Sequence, residues 1–172
     1  MLTASLALTL GVSAKPAITR SPVSTGRIVV AQEGEVFHHK DAGIQFELPK
    51  GWKATPDGET ITVSSADEGV QIVLWVPAED SFDEAVKALD KELGKTIKNQ
   101  KPTGEPTKDT HNGMAHYGQT GTGEVDGTTI EWSVDVLAAK QVVIILSFAA
   151  PELFEKHAHS YTAFVSSIKK ME

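Results

Sequence analysis

Apolar and polar positions alternate along this chain with two different periods, and each change of period predicts a new element. Ile44, Phe46 and Leu48 alternate with Gln45 and Glu47, the period of two expected of a strand with one face in a core. Pro49-Lys50-Gly51-Trp52 turns the chain, and Ile61 and Val63, set among Thr60, Thr62 and Ser64, repeat the pattern. Asp67-Glu68-Gly69 is a turn leading into Val70 to Val76, apolar on both faces apart from Gln71. Such a strand belongs in the middle of a sheet covered on both sides.

Pro77 ends that strand. Ser81-Phe82-Asp83-Glu84 has the form of a capping box, in which the serine hydroxyl accepts from the amide near the glutamate and the glutamate bonds back to the serine amide. The period then lengthens: Phe82, Val86, Leu89 and Leu93 share one helical stripe, with Asp83 and Lys87 paired on the exposed side. Lys101 to Pro106 reads as a Pro/Gly-rich connection.

Beyond it, Asn112-Gly113 and Asp126-Gly127 are dipeptides suited to two-residue hairpin turns. A meander is therefore predicted, with strands near Thr107 to His111, Met114 to Gly123, Thr128 to Ala138 and Gln141 to Ala149. Ile130, Trp132, Val134 and Val136 point one way from the third strand, and Thr129, Glu131, Ser133 and Asp135 the other; the fourth is apolar on both faces. Pro151 suits the first turn of a last helix, whose apolar stripe is Phe154, Ala158, Tyr161, Val165 and Ile168. The order strands, helix, β-meander, helix predicts an α+β fold, an antiparallel β-sheet with amphipathic helices packed on it.

The first 34 residues do not join this pattern. Met1 to Ala14 is an uncharged apolar run ending in Val12-Ser13-Ala14, the small-residue pattern of a signal-peptidase site, so residues 1–14 are read as a signal peptide. The basic stretch that normally opens such a signal is missing, since the first cation is Lys15. The run is well short of the roughly 20 apolar residues of a membrane span, and with zero cysteines the chain has neither a lipid-attachment site nor a disulfide. Residues 15–34 read as a basic linker broken by Pro16, Pro22 and Gly26, with Val29-Val30-Ala31 as an alternative cleavage pattern after residue 31. Residues 35–172 are assigned to the folded domain, and the expected location is secreted or periplasmic.

Charge narrows the partners. From Gln32 onward there are 13 basic and 23 acidic residues, a net charge of −10. That surface repels phosphate backbones and anionic lipid. The expected partner is a protein of the envelope or extracellular space, with no nucleic acid and no membrane span in the mature chain.

The segment Gly43-Ile44-Gln45-Phe46-Glu47-Leu48-Pro49-Lys50-Gly51-Trp52 resembles the F-x-x-P-x-G-W opening of the PsbP-like superfamily. Phe164-Val165-Ser166-Ser167-Ile168-Lys169 is similar to its terminal-helix pattern F-x-x-S-I/L-K. That superfamily groups PsbP extrinsic photosystem proteins, the Ran-binding Mog protein and DcrB-type envelope proteins. The resemblance implies a shared fold over residues 35 to 170 and no single activity.

Catalytic patterns are sparse. There is no cysteine and no Gly-x-Ser-x-Gly elbow. Gly94-Lys95-Thr96 ends like a phosphate-binding loop, but the glycine required five residues earlier is Leu89. Gly118, Gly121 and Gly123 lie in the meander with no helix to aim at a phosphate, and read as strand distortion or a bulge.

Six histidines in an acidic domain invite a metal test. His157 and His159 diverge on a helix, and His38 and His39 on a strand. If Asn112-Gly113 is a two-residue turn, however, His111 pairs with Met114 and His116 with Asp109. Asp109, His111 and His116 then share one face, and two imidazoles with a carboxylate form a candidate zinc site. No other cofactor is indicated. The function expected is an exported, non-catalytic accessory or protein-interaction domain. The alternative is a metal- or small-molecule-binding domain, and a hydrolytic enzyme is a third reading.

Overall fold

A computed structural model describes residues 29–30 and 35–172; the signal peptide read at 1–14 and most of the linker read at 15–34 lie outside the described residues. The main sheet has eight antiparallel strands: β1 (Val29–Val30), β4 (Lys53–Asp57), β5 (Thr60–Ser64), β6 (Val70–Trp75), β7 (Lys98–His111), β8 (Met114–Val125), β9 (Thr128–Ala138) and β10 (Val142–Ala149). Their order across the sheet is β1-β4-β5-β6-β10-β9-β8-β7. A smaller sheet, ordered β11-β3-β2, joins β2 (Val36–His39), β3 (Ile44–Glu47) and β11 (Lys169–Lys170). Two helices complete the α+β fold, α1 (Phe82–Thr96) and α2 (Pro151–Ser167).

Alternation along the central strands builds two cores. Ile144 and Leu146 of β10 and Ile130, Trp132, Val134 and Val136 of β9 are buried with Ala85, Leu89 and Leu93 of α1. Val143 and Ile145 point the other way, into a core with Ile72 and Leu74 of β6, the small sheet and α2. β10 is central and buried on both faces, as its continuous apolar run requires; β6 is central too but fully buried on one face only, with Gln71, Val73 and Trp75 half-buried on the other, so the expected cover on both sides is incomplete there.

Asn112 and Gly113, and again Asp126 and Gly127, have positive φ angles, the paired left-handed residues of a two-residue hairpin. Ser81 caps α1: its hydroxyl accepts from the Glu84 amide. The return bond differs from the expected box, because the Glu84 carboxylate accepts from the Ser81 hydroxyl rather than from the serine amide.

The segment 101–106 is not a connection. β7 runs through Pro102 and Pro106, because at the edge of a sheet a proline removes no ladder bond. Register shifts between Lys98 and Lys101 and between Thr103 and Thr107 absorb the extra residues. The distortion therefore sits in β7, not at the glycines of β8. Those glycines serve packing: a Cβ on Gly121 would overlap the Trp132 ring and the Lys101 carbonyl, and one on Gly123 would strike Ile97. Two residues of the expected linker, Val29 and Val30, pair with Ala54 and Lys53 at the opposite edge.

The fully buried side chain of α2 is Phe164, which the expected stripe left out; Phe154, Tyr161 and Val165 of that stripe are half-buried against the same core, and Ile168 is buried just past the helix. The Phe164 ring packs 5.4 Å from that of Phe46 and 6.5 Å from that of Trp52. The aromatic residues that carry the sequence resemblance thus meet in one core, where the small sheet and α2 close over the main sheet.

Candidate functional site

The β7–β8 hairpin places Asp109 opposite His116 and His111 opposite Met114, the expected register. What the three side chains do there is different from a ligand cage. His116 Nδ1 lies 2.6 Å from Asp109 Oδ1, and its Nε2 lies 2.8 Å from Oδ1 of Asp135 on β9. Carboxylates only accept, so both ring nitrogens donate and the ring is an imidazolium. Its pKa is raised above the ordinary 6.5, first by the bond to Asp135 and then by Asp109, against the opposing effect of burial.

His111 takes a separate path. Its Nε2 donates to the Ile168 carbonyl at 3.1 Å, and the ring centroids of His111 and His116 are 6.0 Å apart. Asn112, at the hairpin tip, donates to the carbonyls of Ile168 at 2.7 Å and Ser166 at 3.1 Å. The hairpin therefore caps the C-terminal end of α2, whose last carbonyls have no helical partner. Among the described residues, no group of three or more His, Cys, Asp or Glu side chains is arranged to hold a metal ion. The space against His111, His116 and Asp135 measures about 10 Å³, the room of a single water.

A second polar centre ties down the other half of α2. Asp67, in the β5–β6 turn, accepts from Lys156 Nζ at 2.7 Å and from Ser65 Oγ at 2.6 Å, and both its oxygens lie 3.0 Å from His157 Nε2. These donors, Lys156 foremost, hold its carboxyl well below the usual carboxylate range. His39, the buried last residue of β2, accepts from the Ala42 amide at Nδ1 and donates to the Glu59 carbonyl from Nε2. It is a satisfied structural imidazole.

The open site is elsewhere. Between α2 and the β7–β9 end of the sheet runs a groove of about 900 Å³. Its floor carries hydroxyls in register: Thr103 of β7 lies opposite Thr120 of β8, and Thr120 opposite Ser133 of β9. That row continues inward to Ser147 of β10, which is fully buried. Thr122 and Glu131 form the next row. The wall is α2, presenting Phe154, Ala158 and Tyr161 with Glu152 and Glu155. The Phe154 and Tyr161 rings meet edge to face at 5.4 Å, and burial pushes the Tyr161 hydroxyl up, with Ser147 and Ser133 partly offsetting it.

The sequence brought Asp109, His111 and His116 together correctly but missed Asp135 as the second partner of His116. It also missed the groove. Counting back from the Asp126-Gly127 turn puts Gly118 opposite Asp135, one row from His116 on the same face, so the clamp was within reach of the turn arithmetic. The groove was not, because it depends on where α2 crosses the sheet.

No protein-family model matches this sequence, and no curated protein matches it either. Solved structures do match. Cyanobacterial PsbP (CyanoP) from Synechocystis sp. PCC 6803 superimposes with a TM-score of 0.56 at 10% identity, over 91% of this chain and 99% of that one. PA94, a protein of unknown function from Pseudomonas aeruginosa, gives 0.51 at 13% identity over 74% and 90%. A protein from Bacteroides thetaiotaomicron gives 0.51 at 10% identity over 86% of this chain but only 49% of its own. Likeness at such identity speaks to fold and not to activity. Among the described residues no helix is long and apolar enough to cross a membrane. The chain has the PsbP-like fold.

Proposed function

We propose that this protein is an exported accessory domain that recognises a protein partner through the groove between α2 and strands β7 to β9, without catalysing a reaction. The observation that carries this reading is the groove itself: it is large, lined mainly by apolar groups with scattered hydroxyls and carboxylates, and flanked by rigid elements, the usual anatomy of a binding surface. What favours binding over catalysis is that the other polar centres are already occupied. His116 spends both nitrogens on carboxylates, and His157 faces Asp67. Export rests on the apolar run 1–14 and its small-residue end. Cleavage after Ala31 would remove β1, so the pairing of Val29 and Val30 with β4 favours the earlier site.

A photo-crosslinking residue at Thr162, on the rim of the groove, tests the reading in the native envelope fraction. One at Lys87 on the opposite face of the sheet is the comparison. The expected result is a discrete crosslinked partner at 162 that is absent at 87. Equal crosslinking at both positions, or none at 162, overturns it. Mass spectrometry of the exported chain should find its first residue at Lys15.

A further inference from the structure

We infer that the occupant of the groove is an extended basic segment of a partner polypeptide, an assignment that rests on the groove being the recognition surface. Three carboxylates, Glu131, Glu152 and Glu155, line the groove, and no Lys, Arg or His joins them. They stand on both sides: Glu131 on β9 and the other two one turn apart on α2. Cations placed between them are attracted from both walls, and the attraction is stronger in a cleft than on a flat surface.

Length separates a polypeptide from a small amine. The α2 wall runs from Pro151 to Thr162, about 16 Å at 1.5 Å per residue. An extended chain at roughly 3.3 Å per residue places about five residues in that length. A single small cation would leave most of it unfilled.

The remaining lining suits the same occupant. Lysine and arginine carry apolar stems that lie along aromatic and aliphatic surface while the charged head stays hydrated, and Phe154 and Tyr161 offer that surface on either side of the small Ala158. The Thr103 hydroxyl both donates and accepts, and Thr120, whose hydroxyl donates to the Thr103 carbonyl, still accepts, so they can meet the amide and carbonyl groups of a peptide main chain that has no strand to pair with. The edge of β7 offers no such ladder where Pro102 and Pro106 interrupt it.

The test is fluorescence anisotropy with a labelled peptide of about eight residues alternating lysine and valine, titrated with the exported chain. Its counterpart carries glutamate for every lysine. The lysine peptide is expected to bind saturably and the glutamate peptide not at all. Affinity should fall at least about tenfold in Glu131→Gln plus Glu155→Gln, the size expected for loss of two partly desolvated charge contacts. Ala158→Trp should block binding sterically. Asp83→Asn plus Asp90→Asn removes as much charge from the other side of the sheet and should leave affinity unchanged. Thermal unfolding confirms that each variant folds.

Equal weakening by the α1 pair would show attraction to the acidic domain as a whole and overturn the assignment, as would tight binding of the glutamate peptide or none of the lysine peptide. Self-association abolished by Ala158→Trp would make the groove a contact between copies and also overturn it. A crosslink at Thr162 to a partner segment that is not basic would sink this assignment while leaving the groove as the recognition surface; loss of the crosslink itself would sink both.

Discussion

His116 on β8 and Asp135 on β9 are joined at 2.8 Å by an imidazolium–carboxylate bond, and the opposite edge of the same ring holds Asp109 on β7. Three adjacent strands are thereby clamped at the point where the hairpin tip caps α2. The His116 pKa is raised, so the clamp contributes stability that is fully present below about pH 6.5 and is lost as pH rises through the higher folded value. Thermal unfolding across that range should show wild type losing stability relative to His116→Gln, with a difference of about 1 kcal/mol at the acid end. Asp135→Asn should bring the imidazole titration, read by NMR, back toward its ordinary value. Asp109→Asn should do so less, because that carboxylate is more exposed.

Zinc titration distinguishes a clamp from a ligand set. Metal at His116 would have to displace a proton and compete with two carboxylates already bound. Calorimetry of wild type and of His111→Ala plus His116→Ala is expected to give the same zinc affinity; loss of affinity in the double variant would identify a metal site.

Asp67 is the corresponding tie at the other half of α2. Its folded pKa is depressed, so its contribution is present above the ordinary carboxylate value near 3.8 and lost as pH falls through the lower folded value. Asp67→Asn should speed hydrogen exchange in the first half of α2 at neutral pH, while the α1 amides keep wild-type protection. The difference between the two proteins should vanish in strong acid.

Two glycines predict opposite outcomes for the same substitution. Gly121→Ala drives a methyl into the Trp132 ring and the Lys101 carbonyl, and overpacking of that kind costs about 1–3 kcal/mol. Gly94 lies inside α1 with nothing within 4 Å of its would-be Cβ, so Gly94→Ala should stabilise by roughly 0.5–1 kcal/mol. Denaturant unfolding measures both.

Phe164 closes the core between Phe46 and Trp52. Phe164→Ala should cost about 3–5 kcal/mol, read by the same denaturant unfolding, whereas Tyr161→Phe should cost less than about 1.5 kcal/mol because it keeps the ring.

The legible parts of this fold were those encoded locally. Periodicity located β6, β9, β10 and α1, and two positive-φ dipeptides fixed the register that brought Asp109 to His116. The parts that escaped depend on position in the sheet or on distant partners. Pro102 and Pro106 argue for a loop until β7 is known to be an edge. Phe164 and Tyr161 lie close together on one helix, and only the tilt of α2 decides which is buried completely. Asp67 looks like an ordinary turn residue, since Lys156 and His157 lie about 90 positions away.

The two edges of the main sheet have a consequence for how this protein can be approached. One edge is β7, where the prolines interrupt the donors; the other, among the described residues, is β1 at Val29–Val30. Main-chain pairing, the least selective way for one protein to join another, is hindered where Pro102 and Pro106 stand in β7. A partner approaching that stretch must instead be read by side chains on a face, which makes recognition there depend on sequence.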